Sequence, residues 1–177
     1  MLGKILKLFV GDKSKKDLKT ITPIIDQIHS FQDEISKLTN DDLRNQTLLF
    51  KDQIKSSVSE IDKQIEGLKA ELEKTKDFDK KESLFLEIDK LNEDAYKINE
   101  ATLNEILPKA FAVVKETAKR FVENNEVIVK ANEYDLELSV EKDYVKVAKD
   151  MASWSNSWDA AGKKIVWDMI HYDVCLL

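Results

Sequence analysis

Apolar residues return every three or four positions through most of this chain. Ile21, Ile24, Ile28, Phe31, Ile35 and Leu38 are spaced 3-4-3-4-3, a narrow seam suited to coiled-coil-like helix packing. Thr22-Pro23 predicts the start of that helix, with Thr as N-cap and Pro at the first helical position, where no N–H is needed. In "KLTNDDL", Thr39 can cap a second helix and Asp42 can reply from three residues on. Leu38 and Leu43 bracket the pair as a hydrophobic staple. Leu43, Phe50, Ile54, Ile61, Ile65, Leu68 and Leu72 then hold one stripe for about eight turns. The stripe stops in the charged stretch "KTKDFDKK" and resumes as Leu84, Ile88, Leu91, Ala95, Ile98 and Ile106. Two long striped helices joined by a short polar connection predict an antiparallel hairpin.

The pattern changes after residue 106. In "LPKAFAVVKETAKR", Pro108 predicts a new helix with Ala110, Phe111, Val114 and Ala118 on its buried side. "EVIVKA" reads as a strand. "NEYDLELSVEKDYV" reads as a short helix capped by Asn132. "SWSNSWDAAGKKIVWDM" places apolar and aromatic runs on both sides of Ala161-Gly162, which predicts a β-hairpin. Trp154, Trp158 and Trp167 are expected to pack as a satellite cluster on it. The fold class is therefore mainly α: a long coiled-coil-like antiparallel helical hairpin, short helices, and a small β-hairpin and strand segment near the C-terminus. Five stretches follow: N-terminal helices (1–50), the long hairpin (51–106), one helix (107–121), a mixed stretch (122–166) and a closing apolar segment (167–177).

Composition narrows the function classes. With 177 residues, 35% charged, four glycines and two prolines, the chain suits long helices rather than a turn-rich β fold. Its formal net charge of −6 argues against a nucleic-acid partner. A single cysteine, Cys175, rules out an intrachain disulfide framework and an all-cysteine metal site. No metal ligand set and no catalytic residue is assigned. His29 and His171 lack a nucleophile and an orienting partner at suggestive positions. No apolar run reaches the roughly 18–20 residues that span a bilayer. The first nineteen residues are locally basic, with Lys4, Lys7, Lys13, Lys15, Lys16 and Lys19 around Leu2, Ile5, Leu6 and Phe9. Such a segment can lie in an anionic headgroup layer, or pack on its own domain or on a second copy.

Four stretches carry a resemblance: "MLGKILKLF", "KLTNDDLRNQT", "LPKAFAVVKETAKR" and "MIHYDVCLL", in that order. Together they resemble the SecA family of bacterial preprotein translocase motors. Residues 51–106 and 122–166 depart from the common pattern of that family as two insertions. The resemblance implies an N-terminal fragment of an ATP-driven motor that moves preproteins through the Sec membrane channel. It implies ATP and magnesium as cofactors of the parent protein. In the family the segment like 167–177 leads towards a phosphate-binding loop, and no G-x-x-x-x-G-K-[ST] occurs in these 177 residues. The fragment is therefore expected to bind nucleotide only weakly and to be inactive alone.

The resemblance places Met169, Tyr172 and Cys175 on the adenine side of the nucleotide site. A Tyr ring can stack on a purine and a thioether can pad its face. The family pattern has Gln where Cys175 stands. A thiol cannot make the amide's two-point contact, a loss of about 1–3 kcal/mol of base discrimination. The resemblance also assigns membrane or channel contact to the basic start, through Lys4, Ile5, Lys7, Leu8 and Phe9, with the Sec channel, preproteins, anionic lipid and a homodimer partner as expected contacts. The expected location is cytoplasmic, peripheral on the cytoplasmic face of the inner membrane. Taken without the resemblance, the same chain reads as a non-enzymatic helical-hairpin adaptor.

Overall fold

The computed structural model describes residues 2–172, with side chains from residue 19 to residue 172. Its elements are α1 (Leu2–Ser36), α2 (Asn40–Lys74), α3 (Phe78–Glu123), β1 (Glu126–Lys130), α4 (Glu133–Glu141), β2 (Val145–Ala148), β3 (Met151–Ser155), β4 (Ser157–Ala160) and β5 (Lys163–Val166). Two compact units emerge: Thr47–Leu107, and Met1–Gln46 with Pro108–Leu177. The mainly α class expected from the periodicity holds, with small antiparallel sheets towards the C-terminus.

The unit at Thr47–Leu107 is the hairpin. Val58 and Ile65 of α2 and Leu84, Ile88 and Ile106 of α3 are buried. The stripe is interrupted at Ile98, which is 37% exposed, and Thr102 takes the buried place. Its hydroxyl is satisfied by donating to the Ile98 carbonyl at 2.9 Å, so a polar residue enters the seam without an orphaned group. Residues 75–77 reverse the chain. Asp77 caps α3 by accepting from the N–H groups of Asp79 (3.0 Å) and Lys80 (3.3 Å), two of the donors a helix start leaves open. Lys80 meets Glu71 at 2.7 Å across the turn. The Glu71 hydrogen bond and charge hold the Lys80 ammonium above its ordinary pKa.

The second unit opens on the α1 seam. Ile28 and Ile35 are buried almost completely. Thr39 starts α2 as expected: its Oγ1 accepts the Asp42 N–H at 3.1 Å, and its hydroxyl donates to the Asp42 carboxylate at 2.7 Å. Two helix starts read from proline are corrected. Pro23 lies inside α1 and Pro108 lies inside α3. A proline fits the first turn of a helix because its absent N–H is not needed there, but the same fixed φ also fits a helix interior when the neighbouring sequence keeps the helix going. The cost of about 3 kcal/mol is absorbed by helices of 35 and 46 residues. Because α3 is already running at Pro108, its phase is inherited. Ala112, Val113, Glu116 and Ala118 are buried, while Val114 is 45% exposed, against the face drawn from Pro108 alone.

Beyond α3, β1 and α4 form where expected, and α4 has a full capping box between Asn132 and Asp135. The helix stops at Glu141, because Val145–Ala148 belongs to β2. Strands β2 and β3 were not read from the sequence. They make a three-stranded antiparallel sheet in the order β1-β3-β2, with Val129 opposite Ala152 and Val145 opposite Trp154. The expected hairpin is β4–β5, with Ala160 opposite Lys163. Its two-residue turn has φ of 51° at Ala161 and 76° at Gly162, the left-handed pair that matches strand twist.

Candidate functional site

Arg120 stands at the centre of the second unit's polar interior. Its side chain is 12% exposed, and its Nε donates to Glu116 Oε1 at 2.9 Å, one helical turn away. Nη1 donates to Asn40 Oδ1 at 2.8 Å, and Nη2 donates to the Leu38 carbonyl at 2.8 Å. Those acceptors lie where α1 has ended and α2 begins. Arg120 thus satisfies carbonyl oxygens that a helix end leaves open and fixes the turn between the two helices. The planar five-donor fork can make these bonds together, which the point charge of a lysine cannot.

Asp135 is the second centre. It has no exposed surface. Arg44 grips it with two hydrogen bonds of 2.7 and 2.8 Å, the Asn132 N–H donates at 2.9 Å, and the Trp154 indole donates at 3.0 Å. Burial alone would push the carboxyl up. The Arg44 hydrogen bonds, the Asn132 N–H, the Arg44 charge and the Trp154 indole outweigh it, so Asp135 stands below the ordinary carboxylate range. Arg44 also donates to the Lys130 carbonyl at 3.3 Å, Asn40 donates to the Ile128 carbonyl at 3.1 Å, and Asp41 accepts the Lys130 N–H at 2.7 Å. The first turns of α2 therefore occupy the outer edge of β1 with side chains, where an open strand edge would otherwise invite another chain.

Asn156 closes the base of this region. Its N–H donates to the Asn125 carbonyl at 2.9 Å, and its side-chain amide donates to the Phe121 carbonyl at 3.2 Å. Its own carbonyl accepts the Trp167 N–H at 2.7 Å. Residues 122–166 thus leave at Phe121 and return at Trp167 across one asparagine. Two of the four stretches that carried the resemblance, "KLTNDDLRNQT" and "LPKAFAVVKETAKR", are joined by Arg120 through Leu38 and Asn40, and Asn156 ties the end of the second to Trp167, two residues before "MIHYDVCLL". A cleft of about 520 Å³ opens beside Arg120, lined by Leu38, Asn40, Glu116, Lys119 and Val127 among others.

Met169 is 55% exposed and Tyr172 is 73% exposed. Cys175 lies outside the described residues, as do the side chains of Lys4, Ile5, Lys7, Leu8 and Phe9. Between Met169 and Tyr172, His171 rests 6.1 Å from the Trp167 ring at a 45° tilt. His171 Nδ1 and Trp167 Nε1 are both buried without a protein partner. The three tryptophans do not form the expected cluster. Trp154 stacks on Tyr134 at 6.3 Å and bonds Asp135, Trp158 sits on β4 opposite Ile165, and Trp167 meets His171. Of the three, only the Trp154 indole N–H finds a polar partner among the described residues, Asp135. Among the described residues no three His, Cys, Asp or Glu side chains gather as a metal site, and no helix is long and apolar enough to cross a membrane.

A helical frame locked by guanidinium networks onto a small inserted sheet defines a class, and the SecA DEAD-like domain matches residues 6–176: the chain belongs to that family. Among curated proteins it is similar to the protein translocase subunit SecA of Flavobacterium psychrophilum, 53% identical over 99% of this chain, and to that of Christiangramia forsetii, 51% identical over 99%. The subunit of Bacteroides fragilis is 40% identical over 98% of the chain. The chain spans about 16% of the length of each of these relatives. The matches run through residues 51–106 and 122–166, so these relatives share both stretches. No solved structure gives a significant match.

Proposed function

We propose that this chain is a portion of a SecA-type motor that moves preproteins through a membrane channel at the expense of ATP. The observation that carries the reading is the joining of two family stretches by Arg120 in a chain 53% identical to a SecA subunit. Within the motor, Met169, Tyr172 and Cys175 serve the adenine side. Tyr172 and Met169 are exposed enough to take a planar base, and the unpartnered nitrogens of Trp167 and His171 stand in the same segment. The phosphates and magnesium need a cradle of backbone amides with a lysine and a hydroxyl, and the motif G-x-x-x-x-G-K-[ST] that builds one does not occur in these 177 residues. ATP would supply the free energy of translocation in the larger protein, while these residues hold and orient the base. The basic start, through Lys4, Ile5, Lys7, Leu8 and Phe9, serves contact with an anionic lipid surface or the channel, which suits a cytoplasmic protein held peripherally at the inner membrane.

The test is a chimera. The matching segment of the Flavobacterium psychrophilum subunit is replaced by this chain, and ATP-dependent entry of a preprotein into inverted membrane vesicles is followed. Transport near the level of the unaltered subunit is expected. A soluble, folded chimera that hydrolyses ATP but moves no preprotein would overturn the reading. The isolated chain should show negligible ATP affinity by calorimetry. Its flotation with anionic vesicles should be lost on Lys4→Glu with Lys7→Glu.

A further inference from the structure

Within the hairpin unit, α3 carries two seams, and only one of them is filled. Leu84, Ile88, Thr102 and Ile106 are buried within the unit. Phe78, Phe85, Tyr96 and Leu103 are 81%, 54%, 68% and 51% exposed. Their spacings of seven, eleven and seven place them within about 20° of one another around the helix, roughly 60–120° from the buried stripe. Glu82, Asp89, Glu93 and Glu100 are exposed too, and they fall between the apolar residues within about 60° of Phe78. In chain order the eight positions are spaced 4-3-4-4-3-4-3, the interval of a helix-packing seam. Single exposed apolar residues are ordinary, but a seam kept up along about 38 Å of helix marks a surface that binds.

The charges say what covers it. Among the described residues none of the four carboxylates has an ion-pair partner, whereas Asp94, on another side of the helix, is paired with Lys97. No lysine of α3 lies in the arc from the apolar line to the acids. The Thr47–Leu107 unit as a whole has ten lysines against fifteen acidic residues. A second copy of the seam would set carboxylate against carboxylate, and an anionic membrane or a nucleic acid would be repelled. A helix with an unbroken apolar face, charged at one end only, would cover these carboxylates without supplying cations. What fits is a helix on which Lys or Arg alternates with apolar residues at 3-4 spacing for about seven turns. The seam reaches Phe78, beside the turn at residues 75–77 and at the other end of the unit from Thr47 and Leu107. That position suits a separate polypeptide better than a neighbouring segment of this one. We infer that the Phe78–Leu103 face of α3 docks a basic amphipathic helix of another protein, packed as a third helix, with its cations on Glu82, Asp89, Glu93 and Glu100. This contact does not depend on the translocase reading.

Two labelled helical peptides of identical composition, built from Leu, Lys, Ala and Gln, test it by fluorescence anisotropy against the 177-residue chain at physiological salt. In the first, Leu and Lys alternate along one seam at 3-4 spacing. In the second, the same lysines sit on the opposite face of the helix. Their equal net charge makes general attraction to an acidic chain the same for both. The first should bind at least about tenfold more tightly. Asp89→Lys with Glu93→Lys should weaken the first peptide about tenfold relative to the second, and Phe85→Ala with Tyr96→Ala should do so by a similar factor. All four side chains are exposed, and circular dichroism checks that helix content is kept. Equal binding of the two peptides, no binding of the first, or indifference to either pair of substitutions would overturn the inference. So would a dimer of the chain, seen by sedimentation velocity, that Phe85→Ala with Tyr96→Ala dissolves, because a second copy would then be the occupant.

Discussion

In the hairpin unit, order comes from a stripe; in the unit that carries the sheets, it comes from two half-buried guanidinium groups. Val58, Ile65, Leu84 and Ile88 are interchangeable in kind: each removes apolar surface from water, and none selects a particular partner atom. Arg120 and Arg44 select theirs. Arg120 binds Glu116, Asn40 and the Leu38 carbonyl, and Arg44 binds Asp135 and the Lys130 carbonyl. The contrast teaches where specificity is needed. A two-helix hairpin can be fixed by the spacing of one stripe. A small sheet inserted between α3 and Trp167 has little core of its own, chiefly Val129, Val145 and Ala152. Its placement depends on directional bonds.

The largest expected effect comes from removing the buried carboxylate. Asp135→Ala leaves the Arg44 guanidinium, the Asn132 N–H and the Trp154 indole without their shared acceptor and should destabilise the sheet-bearing unit by about 3 kcal/mol. All three tryptophans, Trp154, Trp158 and Trp167, lie outside Thr47–Leu107. Tryptophan fluorescence during urea unfolding therefore reports this unit, and its midpoint should fall while a hairpin-specific signal is kept. Ile65→Ala is the mirror image. Truncating a side chain 6% exposed should cost about 2–3 kcal/mol. It should shift unfolding followed by far-ultraviolet circular dichroism more than unfolding followed by fluorescence. Coincident shifts in both signals for both variants would erase the distinction between the units.

Acid sharpens the same comparison. The Asp135 carboxyl is held below its ordinary value despite its burial, by Arg44, the Asn132 N–H and Trp154. A group with a lowered folded pKa contributes fully above the ordinary carboxylate range, and the contribution disappears as pH falls through the lowered folded value. The fluorescence midpoint of the unaltered chain should therefore approach that of Asp135→Asn as the solution is acidified, and the two should differ most near neutrality. A constant gap between them down to strong acid would contradict the role given to this carboxylate. The smallest effect is expected at the β4–β5 turn. Gly162→Ala forces a side chain onto a φ of 76° and should cost about 1 kcal/mol, measured by the fluorescence midpoint.

Much of this architecture is legible in the sequence wherever the cause is local. The two stripes, the Thr39–Asp42 cap, the Asn132 cap and the Ala161-Gly162 turn each rest on residues within a few positions of one another. The prolines mislead for the same reason: locally, Pro23 and Pro108 fit a helix start better than an interior, and only the long helices around them carry the cost. β2 and β3 escape because their turn is Lys149-Asp150, with Lys149 at a φ of 57°, a conformation for which lysine is no signal. The Arg44–Asp135 pair spans 91 residues and has no sequence mark beyond the cap that Asp135 completes. The exposure of Met169 and Tyr172 likewise follows from what does or does not pack on them, not from their spacing.

Peptide-resolved hydrogen exchange on Arg44→Ala tests the directional fastening of the sheet most directly. Amides of Glu126–Lys130 and Met151–Ser155 should lose about a hundredfold of protection, the equivalent of roughly 3 kcal/mol, while those around Val58, Ile65, Leu84 and Ile88 keep theirs. Unchanged protection in the two strands, or an equal loss along the hairpin, would contradict the account.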